Sequence, residues 1–369
     1  MKYRTMRFIG GEENVSLLGL GCMRFPLNED GTIDEAQAEA MIGRALNAGI
    51  NYIDTAYPYH KGESEPFLGR ALKKYPRNSF YLATKLPVWL VNSVEDAERL
   101  FKEQLSRLQT KYIDYYLLHA LDAGRWEKLV KEGIIEWAEA KKASGKIRHL
   151  GFSFHDTYPV FREILTYRQW DFCQIQYNYI NRAYQAGDEG LTYAAEKGLA
   201  VIIMEPLLGG RLANLSEHVA EVFSQDKTSV EHALDFLWDK KEVSLLLSGM
   251  GTEQQVEDNL VYAGRSAVGM LTAEEKKQYE KAKEIYDKMS MVDCTGCAYC
   301  MPCPFGLNIP ELFKAYNTYG PEGKDGMKRE YEKQQVRSDS CRSCHRCEKV
   351  CPQNIKISEQ MKKIAELMK

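Results

Sequence analysis

Cysteine is the residue type whose spacing says most about chemistry in this chain. Eight of the ten cysteines lie between residues 294 and 351, in two runs that each end in Cys-Pro. They are Cys294, Cys297, Cys300 and Cys303 in the first run and Cys341, Cys344, Cys347 and Cys351 in the second. Four thiolates with gaps of two or three residues, and proline after the last, are typical of iron–sulfur clusters. Paired structural zinc sites, which use similar spacings, are the alternative.

The second run matches the bacterial ferredoxin pattern C-x2-C-x2-C-x3-C-P, and the first is one residue short before Cys303. In two-cluster ferredoxins the fourth cysteine of one run binds the other cluster. By that pattern we expect two 4Fe–4S clusters, one on Cys294, Cys297, Cys300 and Cys351, the other on Cys341, Cys344, Cys347 and Cys303. The short gap leaves the place of Cys303 open. Cys22 and Cys173, far from both runs, are predicted to be core residues.

A second group of reactive side chains follows apolar segments in the first 265 residues. Asp54, Lys85 and His119 each end such a segment, and Tyr57 and Tyr59 come just after Asp54. A phenol has a reference pKa of about 10, and a nearby ammonium stabilises the phenolate and lowers that value. If these groups converge, a tyrosine becomes the proton donor to a carbonyl that receives a hydride, and the histidine orients the carbonyl oxygen.

Convergence requires parallel strands whose carboxyl ends meet. Eight nearly continuous apolar runs fit such strands: Leu17–Gly21, Asn51–Ala56, Phe80–Lys85, Tyr112–His119, Ile147–Phe154, Phe172–Tyr179, Leu199–Glu205 and Val243–Gly249. Amphipathic segments follow them, which predicts a (β/α)8 TIM barrel over residues 1–270 with its active site at the carboxyl ends of the strands. A doubly wound sheet is the alternative, but Gly19-Leu20-Gly21 lacks the third glycine of the dinucleotide fingerprint.

Several short signals predict where helices and turns begin and end. The predicted N-caps are Ser64, Ser93, Thr228, Thr252 and Thr272. One long helix is predicted over Trp126–Ser144 and stops at Gly145. The stretch Met6–Ser16 around Gly10-Gly11 predicts a short hairpin that closes the barrel floor.

The chain after the barrel is predicted to form two further parts. Residues 271–290 read as a connecting helix, and residues 291–369 as a small, mainly helical ferredoxin-like iron–sulfur domain. Within that domain we expect a helix over Ile309–Tyr319 and a turn over Pro321–Gly326. A domain of this size buries little apolar surface, so we expect its clusters to contribute to its stability.

Motifs at the strand ends resemble those of the aldo-keto reductase family. Asn51–Tyr59 with Gly62–Glu65 is similar to the family's D-T-A-x-x-Y-G-x-[SG]-E, Ala83–Lys85 to its A-T-K strand, and Tyr112–His119 to Y-[IV]-D-L-Y-L-[LI]-H. The resemblance covers residues 5–265 and implies the family's barrel and NAD(P)H-dependent carbonyl reduction. Carried over by position, it implies Tyr59 as general acid, Lys85 and Asp54 as the groups that tune it, and His119 as the substrate-orienting group.

The same resemblance implies which residues bind NADP or NAD. They are Ser153, Gln176, Pro206, Leu207, Gly209, Gly249, Gln255 and Asn259. Met204 stands where the family has a tyrosine that stacks on the nicotinamide ring. Gly249 and Gln255 stand where many NADPH-dependent members carry Lys and Arg, which normally hold a phosphate. The choice between NADPH and NADH is therefore open, and Arg211 is a candidate substitute cation.

The barrel with its cysteine-rich tail resembles a subgroup of aldo-keto reductases with an appended 4Fe–4S domain. The favoured hypothesis is an NAD(P)H-dependent reductase of a small aldehyde or ketone, with clusters that are structural or docking elements. The second is an iron–sulfur electron-transfer protein that exchanges electrons with a ferredoxin-like redox partner. The third is a non-catalytic redox sensor or scaffold, which predicts that nicotinamide does not bind.

Composition and charge exclude other classes. Hydrophobic residues are 44% and charged residues 27% of the chain, which is ordinary for a globular protein. The net charge of −3 provides no strong basic field for nucleic acid. Apolar runs fall short of the roughly 18 residues that a membrane span needs. Because Met1–Arg4 precedes no apolar signal core, we expect a cytoplasmic protein.

Overall fold

The computed structural model describes residues 1–8 and 11–369. It begins with a hairpin in which β1 (Tyr3–Phe8) pairs antiparallel with β2 (Gly11–Ser16). Met6 and Val15 from this hairpin pack with inward-facing residues of the barrel, which confirms the predicted floor. The predicted turn at Gly10 lies outside the described residues.

Eight parallel strands form a closed barrel. They are β3 (Leu18–Gly21), β4 (Tyr52–Asp54), β5 (Tyr81–Leu86), β6 (Ile113–Leu121), β7 (Ile147–Phe154), β8 (Phe172–Gln176), β9 (Ala200–Met204) and β10 (Leu245–Ser248). Neighbours follow chain order, and β10 pairs with β3 to close the ring. Each strand overlaps one predicted apolar run, so the (β/α)8 barrel is confirmed and the doubly wound sheet is wrong.

Side-chain alternation along the strands explains where the reactive groups lie. Tyr52, Ala83, Leu117 and Ile202 belong to the buried core inside the barrel. Because side chains two residues apart on a strand share a face, the residues that follow them by two also point inward, one layer nearer the carboxyl ends. These are Asp54, Lys85, His119 and Met204. The core therefore forms the base on which the predicted catalytic groups stand.

Fourteen helices lie in the described residues. They are α1 (Glu35–Asn47), α2 (Ser64–Ala71), α3 (Val94–Arg107), α4 (Ala123–Lys131), α5 (Ile134–Ala143), α6 (Tyr158–Tyr167), α7 (Gly187–Glu196), α8 (Glu217–Ala220), α9 (Ser229–Trp238), α10 (Glu253–Arg265), α11 (Ala273–Met289), α12 (Ile309–Asn317), α13 (Tyr319–Tyr331) and α14 (Ile357–Leu367). None of them is long and apolar enough to cross a membrane.

Most predicted caps are confirmed. The side chains of Ser93 and Thr252 accept hydrogen bonds from the third residue of their helices, and Thr272 forms a full capping box with Glu275. Thr228 and Glu231 exchange the same pair of bonds. Ser64 is not a cap: its hydroxyl donates to the carbonyl of Cys22 and lies 2.9 Å from the Thr55 hydroxyl.

Two other predictions are wrong. The single helix over Trp126–Ser144 is two helices, α4 and α5, because Gly133 adopts a left-handed conformation with φ of 68°. The turn over Pro321–Gly326 is part of α13, which bends at Gly323, where φ is 67°.

Contacts divide the chain into two compact units. The first comprises Met1–Tyr177, Asn181–Pro206 and Leu234–Met270, and the second Asn178–Ile180, Leu207–Ala233 and Leu271–Lys369. Residues 207–233, which precede β10 in sequence, thus group with the cysteine-rich region. The second unit contains a small apolar core built from α12, α13 and α14, against which six of the eight cysteines pack. The domain boundaries at 270 and 290 stay predictions.

Candidate active site and cysteine cluster

Lys85 is the centre of the polar cluster at the strand ends. Its Nζ donates to both carboxylate oxygens of Asp54, at 2.7 and 2.8 Å, and to the carbonyl of Thr55 at 2.8 Å. The Tyr59 hydroxyl lies 3.4 Å from the same Nζ. Lys85 is 1% exposed and Asp54 2%, so the ion pair is fully removed from water. The predicted grouping of these three residues is present in the geometry.

Tyr59 is presented by an unusual turn. His60 and Lys61, directly after it, both have positive φ, 51° and 57°. Non-glycine residues in this region cost on the order of 1 kcal/mol each. The His60 ring offsets this cost, because its Nε2 accepts a hydrogen bond from the Phe25 backbone at 3.2 Å and the two rings stack. The surrounding structure therefore holds Tyr59 in one position.

His119 is the fourth member of the cluster and is 4% exposed. Its ring centroid is 6.4 Å from that of Tyr59 and 5.1 Å from that of Trp89. Burial, followed by the positive charge of Lys85, lowers the pKa of His119 well below its usual value. His119 is thus a neutral imidazole at pH 7, which can donate a hydrogen bond without carrying charge.

Asp54 responds to two opposing effects. Burial raises the pKa of this carboxyl group, and the Lys85 ammonium opposes the rise through charge and hydrogen bonding. The close bidentate contact with Lys85 is the arrangement expected of an ionised carboxylate. Asp54 therefore fixes the ammonium next to the Tyr59 hydroxyl.

Of the predicted cofactor residues, Ser153 and Gln176 lie at the ends of neighbouring strands, 1% exposed each. The Ser153 hydroxyl accepts a hydrogen bond from the Ala120 backbone N–H at 2.7 Å, so its own proton remains to be donated. Met204 ends the next strand, and its sulfur lies 3.6 Å from the Gln174 amide nitrogen. Polar donors and a polarisable thioether thus line this side of the barrel mouth.

The predicted phosphate loop follows β10. The Gly251 N–H donates to Gln255 Oε1 at 2.8 Å, and Asn259 Nδ2 donates to Ser248 Oγ at 3.0 Å. The loop leads into the N-terminus of α10, a thirteen-residue helix. Helix N-termini after the last strands of such barrels attract phosphate. The residues present therefore fit a phosphate-bearing cofactor.

Arg24 is a residue that sequence reasoning missed at this loop. A Cβ atom at Gly249 would lie 3.2 Å from the Arg24 side chain, so the arginine stem covers the glycine. Its position three residues after the carboxyl end of β3 is the signal that could have selected it. Arg24 supplies positive charge beside a loop in which Gly249 and Gln255 supply none.

The proposed role of Arg211 as a substitute cation stays a prediction, and the structure shows its contacts. Its guanidinium donates to the Val292 carbonyl at 3.1 Å and to Ser290 Oγ at 2.9 Å, and it lies 5.0 Å from the Tyr286 ring. These contacts are all within the second unit. Arg211 therefore binds the chain segment that precedes Cys294.

The cysteines of the first predicted cluster face one depression. It is lined by Cys294, Cys297, Cys300 and Cys351 together with apolar side chains such as Phe313. Burial and the charges of the other three thiolates raise the pKa of Cys300. Among the described residues, no three His, Cys, Asp or Glu side chains converge closely enough for a single metal ion. Four thiol groups around one depression are the kind of donor set that a 4Fe–4S cluster requires.

The second predicted set is brought together in part. Burial, followed by the charges of Glu348, Cys341 and Cys344, raises the pKa of Cys347 to about 11. Cys344 is exposed, and Cys303 packs against the same apolar core as Cys341 and Cys347. Cys22 and Cys173 are fully buried in the barrel, as predicted.

Comparison with known proteins identifies the two regions. A sequence profile of the aldo/keto reductase family matches residues 17–284, and a profile described as a 4Fe-4S dicluster domain matches residues 290–355. The first match covers more than half of the chain. The chain belongs to the aldo/keto reductase family, whose members are NAD(P)H-dependent oxidoreductases, and it carries a C-terminal 4Fe–4S domain.

Individual relatives agree with this assignment. The chain is 31% identical over 273 residues to L-galactose dehydrogenase of Arabidopsis thaliana, covering 67% of this chain and 83% of the relative. It is 33% identical over 201 residues to the NADH-specific methylglyoxal reductase of Escherichia coli, covering 50% and 60%. The solved holo form of an aldo-keto reductase from Bacillus halodurans superposes with a TM-score of 0.66 at 29% identity, covering 76% and 96%.

Proposed function

We propose that this chain reduces the carbonyl group of a small aldehyde or ketone, with Tyr59 as the proton donor. The observation that carries the proposal is the position of Lys85 Nζ, held by Asp54 and 3.4 Å from the Tyr59 hydroxyl. An ammonium fixed at that place favours the phenolate that remains after the proton has left. The family's hydride chemistry requires such a donor at the barrel mouth.

The residues act together on one carbonyl. Bound NAD(P)H supplies the hydride to the carbonyl carbon. Tyr59 transfers its phenolic proton to the carbonyl oxygen, which gives the alcohol and leaves the phenolate beside Lys85. The neutral His119 donates a hydrogen bond to the same oxygen and fixes its direction. Solvent then returns a proton to Tyr59.

The same proposal assigns the cofactor contacts. Ser153 and Gln176 bind the nicotinamide amide, and the segment Pro206, Leu207 and Gly209 with Gly249, Gln255 and Asn259 binds the phosphates and adenosine. Support comes from the buried Ser153 hydroxyl at the end of β7 and from the helix N-terminus after Gly251. Because one relative is NADH-specific by name, both NADH and NADPH belong in the assay.

The decisive comparison is Tyr59→Phe against Tyr57→Phe. Tyr57 is a matched control because its hydroxyl donates to Glu103 at 3.2 Å rather than facing Lys85. With methylglyoxal as the first probe substrate, we expect kcat to fall by about 10² to 10⁴ in Tyr59→Phe, the usual contribution of a general acid. Cofactor affinity should not change. Equal turnover in wild type and Tyr59→Phe rejects the proposed role.

We also propose that the C-terminal domain binds two 4Fe–4S clusters with the ligand sets predicted above. The four cysteines around one depression support the first set. Chemical analysis of anaerobically purified protein should give about eight iron and about eight acid-labile sulfide per chain. Four of each would leave a single cluster, and zinc without sulfide would reject both.

A second candidate function is electron exchange with a ferredoxin-like redox partner. The observation that favours it is the exposed Cys344, flanked by the exposed cations Arg342, Arg346 and Lys349. A partly exposed cluster within a basic surface suits an acidic one-electron carrier. Clusters that no low-potential donor can reduce would reject this function and leave the reductase.

A further inference from the structure

The loop after β9 is joined to the first cysteine run by close packing. We call residues 207–211 the post-β9 loop. A Cβ atom at Gly209 would lie 1.9 Å from the carbonyl oxygen of Thr295, and Gly209 has φ of 67°. The clash at the Cβ position and the positive φ both favour glycine over any other residue here. Thr295, which follows Cys294 directly, is 3% exposed, so the contact is buried.

Arg211 makes a second connection at the other end of the loop. Its two terminal guanidinium nitrogens donate to the Val292 carbonyl and to Ser290 Oγ. Asn317 holds the same segment from the opposite side, because it accepts from the Met291 and Val292 N–H groups, each at 3.0 Å. Residues 290–292 are therefore fixed between the post-β9 loop and α12, and this strip, residues 290–295, leads into the first cysteine run.

The far end of this strip depends on the first cluster. Cys294, Cys297 and Cys300 line one depression with Cys351, Thr295 and apolar side chains such as Phe313. Metal ligands of small domains keep their geometry only when the metal group is bound. Without it, Thr295 loses its fixed position, and so does the wall against which Gly209 packs.

The second cysteine run has a different anchor. Glu348 within it accepts hydrogen bonds from the Ser358 backbone N–H at 2.8 Å and from the Ser358 hydroxyl at 2.6 Å. Ser358 belongs to α14, not to the post-β9 loop. Three of the four proposed ligands of the second cluster, Cys341, Cys344 and Cys347, lie in this run, so we expect its loss to disturb α14 and to leave the contact between Gly209 and Thr295 in place.

We propose that occupancy of the first cluster controls the affinity of the chain for its nicotinamide dinucleotide, through Thr295 and Arg211 as positioning residues of the post-β9 loop. The inference rests on the proposed role of Leu207 and Gly209 in binding that cofactor. A loop ordered in advance binds without the entropic cost of ordering. The cluster acts on binding only, so the chemical step at Tyr59 keeps its rate.

The test compares one ligand of each cluster in the full-length protein. Cys300→Ala and Cys344→Ala should each lose about half of the iron and sulfide. NADH and NADPH dissociation constants are measured by quenching of protein fluorescence, independently of turnover. We expect the constant to rise at least about tenfold in Cys300→Ala and to stay unchanged in Cys344→Ala. Equal constants in both variants, or equal increases, overturn the inference.

A second pair of variants decides the matter if Cys300→Ala does not fold. Arg211→Met keeps all cysteines and should raise KM for the cofactor several-fold at unchanged kcat, and Arg211→Lys should restore part of the affinity. Arg329→Met is the matched control, since Arg329 pairs with Glu322 on α13. An unchanged KM in Arg211→Met rejects the inference. Wild-type protein that binds neither NADH nor NADPH rejects the proposed function itself.

Discussion

The proposed catalytic groups of the barrel and the cysteines of the C-terminal region are held in place by different means. Asp54, Lys85 and His119 are at most 4% exposed and stand directly above a packed apolar layer. The cysteines are mostly half-exposed and surround open space beside a small core. The barrel site is therefore organised by the chain itself, whereas we expect the cysteine site to require its ligand. Strand ends preorganise chemistry in a way that short cysteine loops cannot.

The largest expected effect on unfolding free energy comes from breaking the Lys85–Asp54 ion pair of the barrel site. Lys85→Met leaves the Asp54 carboxylate buried without its partner, which costs about 3–5 kcal/mol of unfolding free energy. Urea unfolding of the barrel measures this cost, and carbonyl reduction should be lost in the same variant. The double variant Asp54→Asn with Lys85→Met should recover most of the stability but not the activity. A single variant as stable as wild type would show that packing alone holds the site.

A somewhat smaller effect should appear with pH. Burial lowers the pKa of His155, which directly follows β7, to about 4 from 6.5. The unfolded chain binds the extra proton between these values, so unfolding free energy falls as pH drops from 7 towards 4 and levels off below. The difference of 2.5 units corresponds to about 3 kcal/mol. Denaturant unfolding of wild type and His155→Asn at pH 7 and 4.5 measures it; equal pH dependence in both contradicts the assignment.

The predicted phosphate loop sharpens the comparison, because hydrogen bonds within the loop and α10 hold it. Gln255 accepts from the Gly251 N–H, and it carries no charge for a 2′-phosphate. Gln255→Arg should improve NADPH affinity by roughly tenfold through a charge-assisted bond, with little change for NADH. Gln255→Met is the control that removes the amide without adding charge. A gain for both cofactors would mean that the introduced guanidinium acts on the pyrophosphate instead.

The smallest expected effect on stability comes from a helix cap in the second unit, which depends on the chain alone and not on a bound cluster. Thr272→Ala removes the capping box of α11 and should cost about 1 kcal/mol. In a thermal scan this lowers the transition of the second unit slightly, whereas removal of iron should abolish it. Thr272→Ser keeps the cap and serves as control. A cap variant as damaging as iron loss would contradict the ligand-dependent account.

The sequence predicted those features that depend on local pattern. Strand alternation and the strand-end rule placed Asp54, Lys85 and His119 together, and cysteine spacing selected the four residues of one depression. Features decided by tertiary contacts were missed. Ser64 is no cap because Cys22 and Thr55 use its hydroxyl, and the contacts of Arg211 with Ser290 and Val292 follow from no local pattern. Gly133 breaks a helix through a backbone conformation that spacing alone does not reveal.

Amide hydrogen exchange on the full chain, with clusters intact and after anaerobic iron removal, tests the central claim most directly. We expect unchanged protection in the barrel strands, with β6 as reference, and loss of protection over residues 294–351. The post-β9 loop should lose protection together with the first cysteine run. Equal loss in β6 would contradict a self-organised barrel, and unchanged protection over 294–351 would contradict a cysteine site that depends on its clusters.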